Sequence, residues 1–355
     1  MKTKIALVIA GGTGGHIFPC LAVAQSLRDR GWRVHWLGGA EPSMESQRVP
    51  IAGLAFHAVQ FGGLRGKGIL TWLKLPARMM RAFQQSKHII RDVNPDVVIG
   101  FGGYITFPAG VMAVLLGKPL IVHEQNALAG MSNRWLSLIA KKVFTSFPRV
   151  LWRGQWIGNP LRIEFLKQDA PNIRFQNRQG PLQILVMGGS LGAKALNDIV
   201  PQAIALIDPS HRPMVTHQSG EKQIQALEAS YAQAGVTATL TPFIEDAASA
   251  MAKADLIICR AGASTVTEIA AIGGVAIFVP FPHAVADHQI VNANFLANQG
   301  AAWLTLQRSL DAQTLATQIQ NLDRTMLQEV AQRAYDLRKV SAANHMVAAC
   351  EELVA

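Results

Sequence analysis

The chain has 355 residues, which is enough for two domains that each bury a core, and half of its residues are hydrophobic. Its formal net charge of +10 predicts an anionic partner, such as a phosphorylated substrate or an acidic lipid surface. The sequence contains no zinc-finger spacing, aromatic RNA-binding motif or long run of Lys and Arg, so we expect no nucleic-acid partner.

The cysteines and the hydrophobic runs exclude two further classes of protein. Cys20, Cys259 and Cys350 are odd in number and far apart, which argues against a disulfide framework or a zinc site and fits a reducing compartment. No apolar run reaches the ~18 residues of a membrane span, because the stretch 105–122 is interrupted by two prolines and a lysine. We predict a core helix followed by a strand there.

The first predicted strand, Lys4 to Ala10, runs into the glycine-rich turn Gly11 to His16, and the pattern then predicts a helix from about Pro19 to Arg30. Two lysines imitate a secretion signal, but the apolar run after them is too short for one. Much later, the strand Gln183 to Met187 runs into a second glycine turn, Gly188 to Gly192, and another helix. The same opening therefore occurs twice, about one domain apart.

Further strand-like runs alternate with helical segments after each opening. They are Val34 to Leu37, Val97 to Gly100, Leu120 to His123 and Lys142 to Thr145 in the first half, and Met214 to His217, Leu256 to Cys259 and Val275 to Val279 in the second. This alternation predicts an α/β protein with two Rossmann-like doubly wound domains facing across a cleft. We place the domains at 1–160 and 161–341, with the seam at Gly158-Asn159-Pro160, and predict a last helix at 342–355.

The glycine turns do not match the common nucleotide motifs. Neither follows the GxGxxG pattern, and no acidic residue closes the second strand, so a nicotinamide dinucleotide site is disfavoured. The stretch Gly62 to Gly68 resembles a P-loop but has Gly68 where a magnesium-binding Ser or Thr is needed. Because no Asp-x-Asp or similar carboxylate cluster occurs, we expect no metal, and a bound diphosphate has to be neutralised by Arg, backbone N–H groups and helix dipoles.

The stretch Asp255 to Glu268 is the most informative one. It predicts a strand, a small-residue turn and a helix whose first N–H groups can bind an anion. Glu268 lies one turn inside that helix, where its carboxylate can accept hydrogen bonds from two neighbouring sugar hydroxyls. The structural alternative is a capping box between Thr265 and Glu268.

The segment Gly62 to Arg91 is basic and amphipathic. Acidic residues are absent between Glu45 and Asp92, and the segment carries the basic residues Arg65, Lys67, Lys74, Arg78, Arg81, Lys87 and Arg91 among leucines, methionines and aromatic residues. This composition predicts a surface that docks on an acidic membrane. The alternative is a solvated helix that packs its apolar face on a core. The turn Gly102-Gly103-Tyr104 could offer N–H groups to an acceptor diphosphate.

Read together, six motifs resemble the MurG family of bacterial glycosyltransferases, occur in family order and cover the chain from residue 5 to about 295. They are Gly11 to Pro19, Gly100 to Tyr104, His123 to Asn126, Gly158 to Arg162, Gly188 to Gly192 and Arg260 to Glu268. The resemblance implies a glycosyltransferase B fold, with an acceptor and membrane-side first domain, a UDP-sugar donor second domain, and a last helix at 342–355 that packs back on the first domain. It also implies metal-independent, inverting transfer of N-acetylglucosamine from its UDP donor to the 4-hydroxyl of the muramyl sugar on undecaprenyl diphosphate, which converts lipid I to lipid II in peptidoglycan synthesis.

The resemblance also implies roles for individual residues. The donor residues are Thr13, Gly14, Gly15, Asn126, Arg162, Ser190, Ile244, Ala263, Ser264, Thr265, Val266, Thr267, Glu268 and Gln289. Among them, Ala263 to Glu268 bind uridine and ribose, and Ile244 meets the uracil edge. Arg162 and Ser190 face the diphosphate. Asn126 and Gln289 bind the N-acetylglucosamine, with His288 as the neighbouring alternative to Gln289.

His16 is the candidate general base, because the acceptor hydroxyl loses its proton as it attacks and only a neutral imidazole can take it. The positive end of the helix dipole disfavours imidazolium there. The structural alternative is a helix cap. We expect a peripheral protein on the cytoplasmic face of the bacterial inner membrane, with other cell-wall synthesis proteins as further partners.

Two other functions remain open. One is a different enzyme on the same architecture, either a UDP-sugar glycolipid synthase or a UDP-N-acetylglucosamine 2-epimerase. The epimerase needs carboxylates near the sugar, and Glu124 is the only convenient one on the first-domain loops. The other is a non-catalytic UDP-sugar-binding protein of the cell-wall machinery.

Overall fold

The computed structural model describes residues 3–40, 43–62, 74–189, 191–282 and 287–355. It contains two compact units. Unit 1 comprises Met1–Arg162 and Lys339–Ala355, and unit 2 comprises Ile163–Arg338.

Unit 1 is built on a seven-stranded parallel sheet with the order β3-β2-β1-β4-β5-β6-β7. Its strands are β1 (Ile5–Ile9), β2 (Arg33–Gly39), β3 (Ala55–Val59), β4 (Val97–Gly100), β5 (Leu120–Glu124), β6 (Lys142–Thr145) and β7 (Gln155–Trp156). Its helices are α1 (Gly14–Asp29), α2 (Met44–Ile51), α3 (Leu75–Val93), α4 (Thr106–Leu115), α5 (Met131–Leu136) and, near the carboxyl terminus, α15 (Ala342–Val354).

Alternate side chains of β1 enter two different cores, which is why the strand is apolar throughout. Ala6 and Val8 join the core under α1 and α15, whereas Leu7 and Ile9 join the core under α3, α4 and α5. The last helix, α15, packs on α1 through Met346, and two ion pairs, Arg30–Glu351 at 3.2 Å and Lys142–Glu352 at 2.8 Å, accompany that packing.

Unit 2 repeats the design with a six-stranded parallel sheet in the order β10-β9-β8-β11-β12-β13. Its strands are β8 (Gln183–Met187), β9 (Met214–Gln218), β10 (Thr239–Thr241), β11 (Leu256–Cys259), β12 (Ala276–Phe278) and β13 (Trp303–Leu304). Its helices are α6 (Ile163–Leu166), α7 (Pro171–Phe175), α8 (Lys194–Ala205), α9 (Ile224–Ala234), α10 (Ala247–Lys253), α11 (Ala263–Ile272), α12 (His288–Ala297), α13 (Ala312–Gln320) and α14 (Arg324–Asp336).

A buried ion-pair network ties the start of β11 to the rest of unit 2. The Asp255 side chain is fully buried and accepts from Arg178 at 2.6 Å, from Arg324 at 3.1 Å and from the Gln183 backbone N–H at 2.8 Å. Both guanidinium groups also donate to backbone carbonyls, so the buried charges have several partners each.

The two parallel sheets and the central strands of both units are confirmed. Four strands were not predicted, namely β3, β7, β10 and β13, and all four lie at sheet edges. The predicted start of the first helix at Pro19 is wrong, because α1 begins at Gly14 and contains Pro19 in its second turn. Within the described ranges, no helix combines the length and the apolar character that spanning a bilayer requires.

Candidate active site

The first glycine turn ends in the first turn of α1. Thr13 has an extended backbone and is the N-cap residue, and its carbonyl accepts from the N–H groups of His16 at 3.0 Å and Ile17 at 3.2 Å. His16 is thus the third residue of the helix, half-buried, with its Nδ1 3.4 Å from the Thr13 hydroxyl. The imidazole therefore lies at the positive end of the helix dipole, as the sequence predicted.

The turn after β4 packs directly on this loop. A Cβ on Gly103 would lie 2.3 Å from the carbonyl oxygen of Gly11, and a Cβ on Gly102 would lie 3.0 Å from the His16 ring. Only glycine allows so close an approach, and both glycines also have positive φ. The next side chain, Tyr104, lies near Gly39, and burial followed by the charge of Glu45 raises its pKa.

Glu124 organises the loop that follows β5. Its side chain is 1% exposed, and its Oε1 accepts from Asn126 N at 2.9 Å and from Asn126 Nδ2 at 3.3 Å. Its Oε2 accepts from Gly130 N at 3.0 Å and from Asn133 Nδ2 at 2.9 Å. Asn133 Nδ2 in turn lies 3.1 Å from the Cβ position of Gly102. The carboxylate therefore orients Asn126 and connects it to the turn that contacts His16.

His123 fixes the segment that follows β7. Its Nε2–H donates to the Gly158 carbonyl at 3.0 Å, and its Nδ1 accepts from Gln125 at 3.0 Å, which defines a neutral tautomer. Burial lowers the pKa of His123 to about 4. A few residues further on, the Arg162 guanidinium lies over the ring of Phe18, 5.3 Å from its centroid, and that ring contacts Gly14. Arg162 therefore lies close to the first glycine turn.

In unit 2, the turn after β11 opens α11 at Ala263. Gly262 is the N-cap residue, and no side-chain capping bond is made at this helix start within the described residues. The predicted alternative, a capping box between Thr265 and Glu268, is therefore wrong, since Thr265 is already the third helical residue. The Ser264 hydroxyl is buried without a hydrogen-bond partner in the part of the chain that the structure describes. These uncommitted polar groups form a candidate anion or sugar site.

Gln289 and Arg260 shape the neighbouring loop. The Oε1 of Gln289 accepts from Ala261 N at 3.2 Å and Phe281 N at 2.9 Å, so only its NH₂ group can serve a ligand. Arg260 donates to the carbonyls of Val279 at 2.9 Å and Pro280 at 3.2 Å, and thereby holds the loop after β12. The neighbouring candidate His288 begins α12, with a buried Nδ1 that has no partner among the described residues.

Two family models match the chain: the glycosyltransferase family 28 N-terminal domain over residues 6–145 and its C-terminal domain over residues 183–346. Proteins from Polaromonas sp. (strain JS666 / ATCC BAA-500) and Polaromonas naphthalenivorans (strain CJ2) are each 60% identical to it. The matches cover 99% of this chain and 92% and 99% of those proteins. Both are named UDP-N-acetylglucosamine--N-acetylmuramyl-(pentapeptide) pyrophosphoryl-undecaprenol N-acetylglucosamine transferase.

The crystal structure of MurG from Acinetobacter baumannii superimposes with a TM-score of 0.86 at 38% identity, over 98% of this chain and 99% of that one. The chain belongs to the MurG family. Its two α/β units form the glycosyltransferase B fold of that family, as the sequence predicted.

The candidate residues of the MurG motifs fall into two sets. Thr13, Gly14, Gly15, His16, Asn126, Arg162 and the turn Gly102 to Tyr104 lie in unit 1, and Ile244, Ala263 to Glu268 and Gln289 lie in unit 2. Ser190, Arg65 and Lys67 lie outside the described residues. Among the residues that are described, no three or more His, Cys, Asp or Glu side chains form a group that could hold a metal ion.

The described part of the basic segment, from Lys74 to Arg91, lies at the start of and within α3, which packs part of its apolar side on a core. Ala82 and Ile90 are buried, and Leu75 and Met79 pack against the same core, whereas Lys74, Arg81 and Met80 are exposed. The alternative, a helix that packs its apolar face on a core, is thus confirmed for one face of α3. The other face carries positive charge and a methionine, and membrane docking stays a prediction.

Sequence reasoning missed the polar residues that support the loops. Glu45 is fully buried and its Oε1 accepts from Gly39 N at 3.1 Å, next to Gly11. Asn133, Asn197 and Gln218 were also missed. The small polar turn at the end of β9 repeats the strand-then-turn pattern of the two glycine turns, but no local signal identifies Gln218 itself.

Proposed function

We propose that this chain transfers N-acetylglucosamine from UDP-N-acetylglucosamine to the 4-hydroxyl of the muramyl sugar of lipid I, giving lipid II for peptidoglycan synthesis. The observation that carries the proposal is 60% identity, over nearly the whole chain, to proteins named for this transfer. The site supports it, because the chain combines a base candidate at one helix start with an uncapped helix start in the other unit.

The reaction is a single displacement with inversion. The acceptor 4-oxygen bonds to the anomeric carbon as the bond from that carbon to the UDP oxygen breaks, and the electron pair leaves with UDP. His16 takes the hydroxyl proton, with Thr13 beside its Nδ1. Arg162 and the helix N-terminus that opens at Ala263 stabilise the negative charge that develops on the diphosphate, without a metal ion.

The proposed binding roles belong to residues in the loops of the two units. In unit 2, Ala263 to Glu268 bind the uridine and ribose, with Glu268 on the ribose hydroxyls and the Ile244 backbone on uracil, while the Gln289 NH₂ group binds the sugar. Asn126, oriented by Glu124, donates to the N-acetylglucosamine. The turn Gly102 to Tyr104 receives the acceptor diphosphate, which gives unit 1 the acceptor and unit 2 the donor nucleotide.

The first test is transfer of labelled N-acetylglucosamine to a lipid I analogue in EDTA. We expect His16→Ala to lose at least ~100-fold in kcat with donor binding retained, because general-base catalysis contributes about 10²–10⁴-fold. Glu268→Ala should raise the dissociation constant of UDP instead. Full activity of His16→Ala would remove it as the base, and loss of transfer by the native chain in EDTA would refute metal independence.

Two alternatives can be weighed on the structure. The epimerase needs a carboxylate that can reach the sugar, but Glu124 is 1% exposed and both its oxygens are engaged by four N–H donors. A glycolipid synthase shares the donor site, so diacylglycerol has to be offered in place of lipid I. Transfer to diacylglycerol but not to the lipid I analogue would replace our proposal.

We also propose that the exposed face of α3 docks the protein on the acidic cytoplasmic leaflet. Lys74 and Arg81 are exposed there, and Met80 between them is 59% exposed. Positive charge beside exposed apolar side chains favours an anionic interface. We expect Lys74→Glu, Arg78→Glu and Arg81→Glu together to abolish co-sedimentation with acidic liposomes. Unchanged co-sedimentation would refute the surface.

A further inference from the structure

Gln218, the last residue of β9, lies between two loops of unit 2. One is the second glycine turn, which the family resemblance assigns to the donor diphosphate, and the other contains Ile244, which the proposed function assigns to uracil. We call the described residues Gly188, Gly189, Leu191 and Gly192 the phosphate loop, and the residues 242–244 the uracil loop. The Gln218 side chain is 3% exposed, and its Nε2 lies 3.0 Å from the Gly189 carbonyl oxygen and 3.0 Å from the Pro242 carbonyl oxygen. One side-chain amide therefore contacts both loops.

The two contacts determine which end of the Gln218 amide faces the carbonyl oxygens. Two carbonyl oxygens at hydrogen-bond distance require the NH₂ end of the amide, which has two N–H donors and so is fully used. Each carbonyl also accepts one backbone N–H, Gly189 from Gly192 at 2.9 Å and Pro242 from Gly220 at 3.2 Å. Both carbonyl oxygens, which would repel a bound diphosphate or compete for uracil, are thereby engaged within the protein.

The turn after β9 reinforces the link. Gly192 has a φ of +75°, and a Cβ on it would lie 2.0 Å from the Ser219 carbonyl oxygen. A Cβ on Gly220 would lie 2.5 Å from Gly192 N, and Ser219 N donates to Thr241 at 3.0 Å. The turn is thus in contact with the phosphate loop on one side and with the strand that leads to the uracil loop on the other. A shift of either loop has to move the turn.

We infer that Gln218 is a positioning residue that couples the diphosphate end of the donor site to its uracil end, an inference that rests on the proposed function of unit 2. Gln218 acts through the two loops and touches no reacting atom. Its loss should therefore weaken binding of the whole nucleotide and leave the chemical step of a bound donor nearly intact.

The test compares Gln218→Glu with Gln223→Glu. Gln218→Glu keeps the shape but removes both donors. Gln223 is the matched control because its Nε2 donates to Leu191 O at 2.9 Å, in the phosphate loop alone. Each lost hydrogen bond should weaken binding about three- to tenfold. Gln218→Glu should weaken both uridine and UDP, and raise the KM for UDP-N-acetylglucosamine roughly tenfold or more with kcat within about threefold. Gln223→Glu should weaken UDP but not uridine.

Amide hydrogen exchange of the unliganded protein gives a readout that does not depend on activity. Gln218→Glu should accelerate exchange in both loops, and Gln223→Glu in the phosphate loop only. If Gln218→Glu fails to fold, the same measurements are made on Gln218→Met, which removes the donors without adding charge. Native-like uridine affinity and uracil-loop exchange in a folded Gln218 variant would overturn the inference. Failure of the native chain to bind UDP would instead refute the proposed donor site.

Discussion

Replacing Glu124 by Gln tests how the loop after β5 is held. The carboxylate accepts four hydrogen bonds, whereas a Gln amide can turn its single oxygen toward only one pair of donors. The pair on Oε2, Gly130 N at 3.0 Å and Asn133 Nδ2 at 2.9 Å, is the better one, because one of the two Asn126 contacts is 3.3 Å long. We therefore expect the new NH₂ group to face Asn126, whose side chain loses its orientation.

The magnitude follows from the number of bonds lost. A hydrogen bond to a charged group contributes ~1.5–3 kcal/mol, so losing two of four should lower the free energy of unfolding of unit 1 by ~3 kcal/mol or more. Transfer should fall by about tenfold to a hundredfold through loss of the proposed hydrogen bonds of Asn126 to the sugar, with the KM for the donor raised. The exposed Glu352→Gln, which breaks only the ion pair to Lys142, should change stability by less than ~1 kcal/mol.

Urea unfolding followed by tryptophan fluorescence is the assay, because unit 1 contains six of the seven tryptophans. These are Trp32, Trp36, Trp72, Trp135, Trp152 and Trp156, and only Trp303 lies in unit 2. If Glu124→Gln unfolds within ~1 kcal/mol of the native chain and keeps its donor KM, the carboxylate does not hold Asn126. In that case the role assigned to this loop is wrong.

Three further predictions concern stability. Burial lowers the pKa of His123 to about 4 and that of His217 to about 3. Below the ordinary histidine pKa, the unfolded chain therefore binds protons at these residues that the folded chain does not bind. Stability should fall as pH drops from 6.5 toward 4, by up to about 3 kcal/mol for His123. Urea titrations of His123→Asn should show a shallower slope in unit 1, where His35 and His57, whose pKa values are also lowered, keep part of it. Asp255→Asn should cost ~3–5 kcal/mol in unit 2 by circular dichroism, since it leaves two buried guanidinium groups without their carboxylate. Gly192→Ala should lose several times more stability than Gly180→Ala. Both glycines have a φ of +75°, which costs ~1–2 kcal/mol for alanine, but only Gly192 has an atom within contact of its Cβ; equal losses would contradict the close packing.

The central strands and both glycine turns could be predicted because their signals are local. An apolar run followed by small residues identifies a buried parallel strand and its turn without knowledge of what packs on it. The start of α1 was missed for the opposite reason. Gly14 and Gly15 have low helix propensity, yet the Thr13 carbonyl and the packing of Ile17 and Cys20 begin the helix there.

The supporting residues could not be predicted, because their partners are distant in the sequence. Gln218 meets Gly189 across 29 positions, and Asn197 meets Ser219 across 22. Nothing in a local window distinguishes these amides from solvated ones. The candidate binding residues Glu268 and His16, by contrast, follow a recognisable strand and turn, so their positions near the N-terminal end of a helix were predictable even though their roles stay predictions.

A glycine in these turns can be required either for close packing between loops or for the approach of a ligand, and a sequence cannot distinguish the two reasons. In unit 1, Gly103 is required because a Cβ there would meet the Gly11 carbonyl, and in unit 2, Gly220 is required because a Cβ there would meet Gly192 N. In each unit, the turn after the first strand packs on the turn after a neighbouring strand, through glycine on both sides. A glycine turn at the end of a parallel strand thus reports close packing between loops as well as an approach to a ligand. In this protein the close packing alone is enough to require glycine at Gly103 and Gly220.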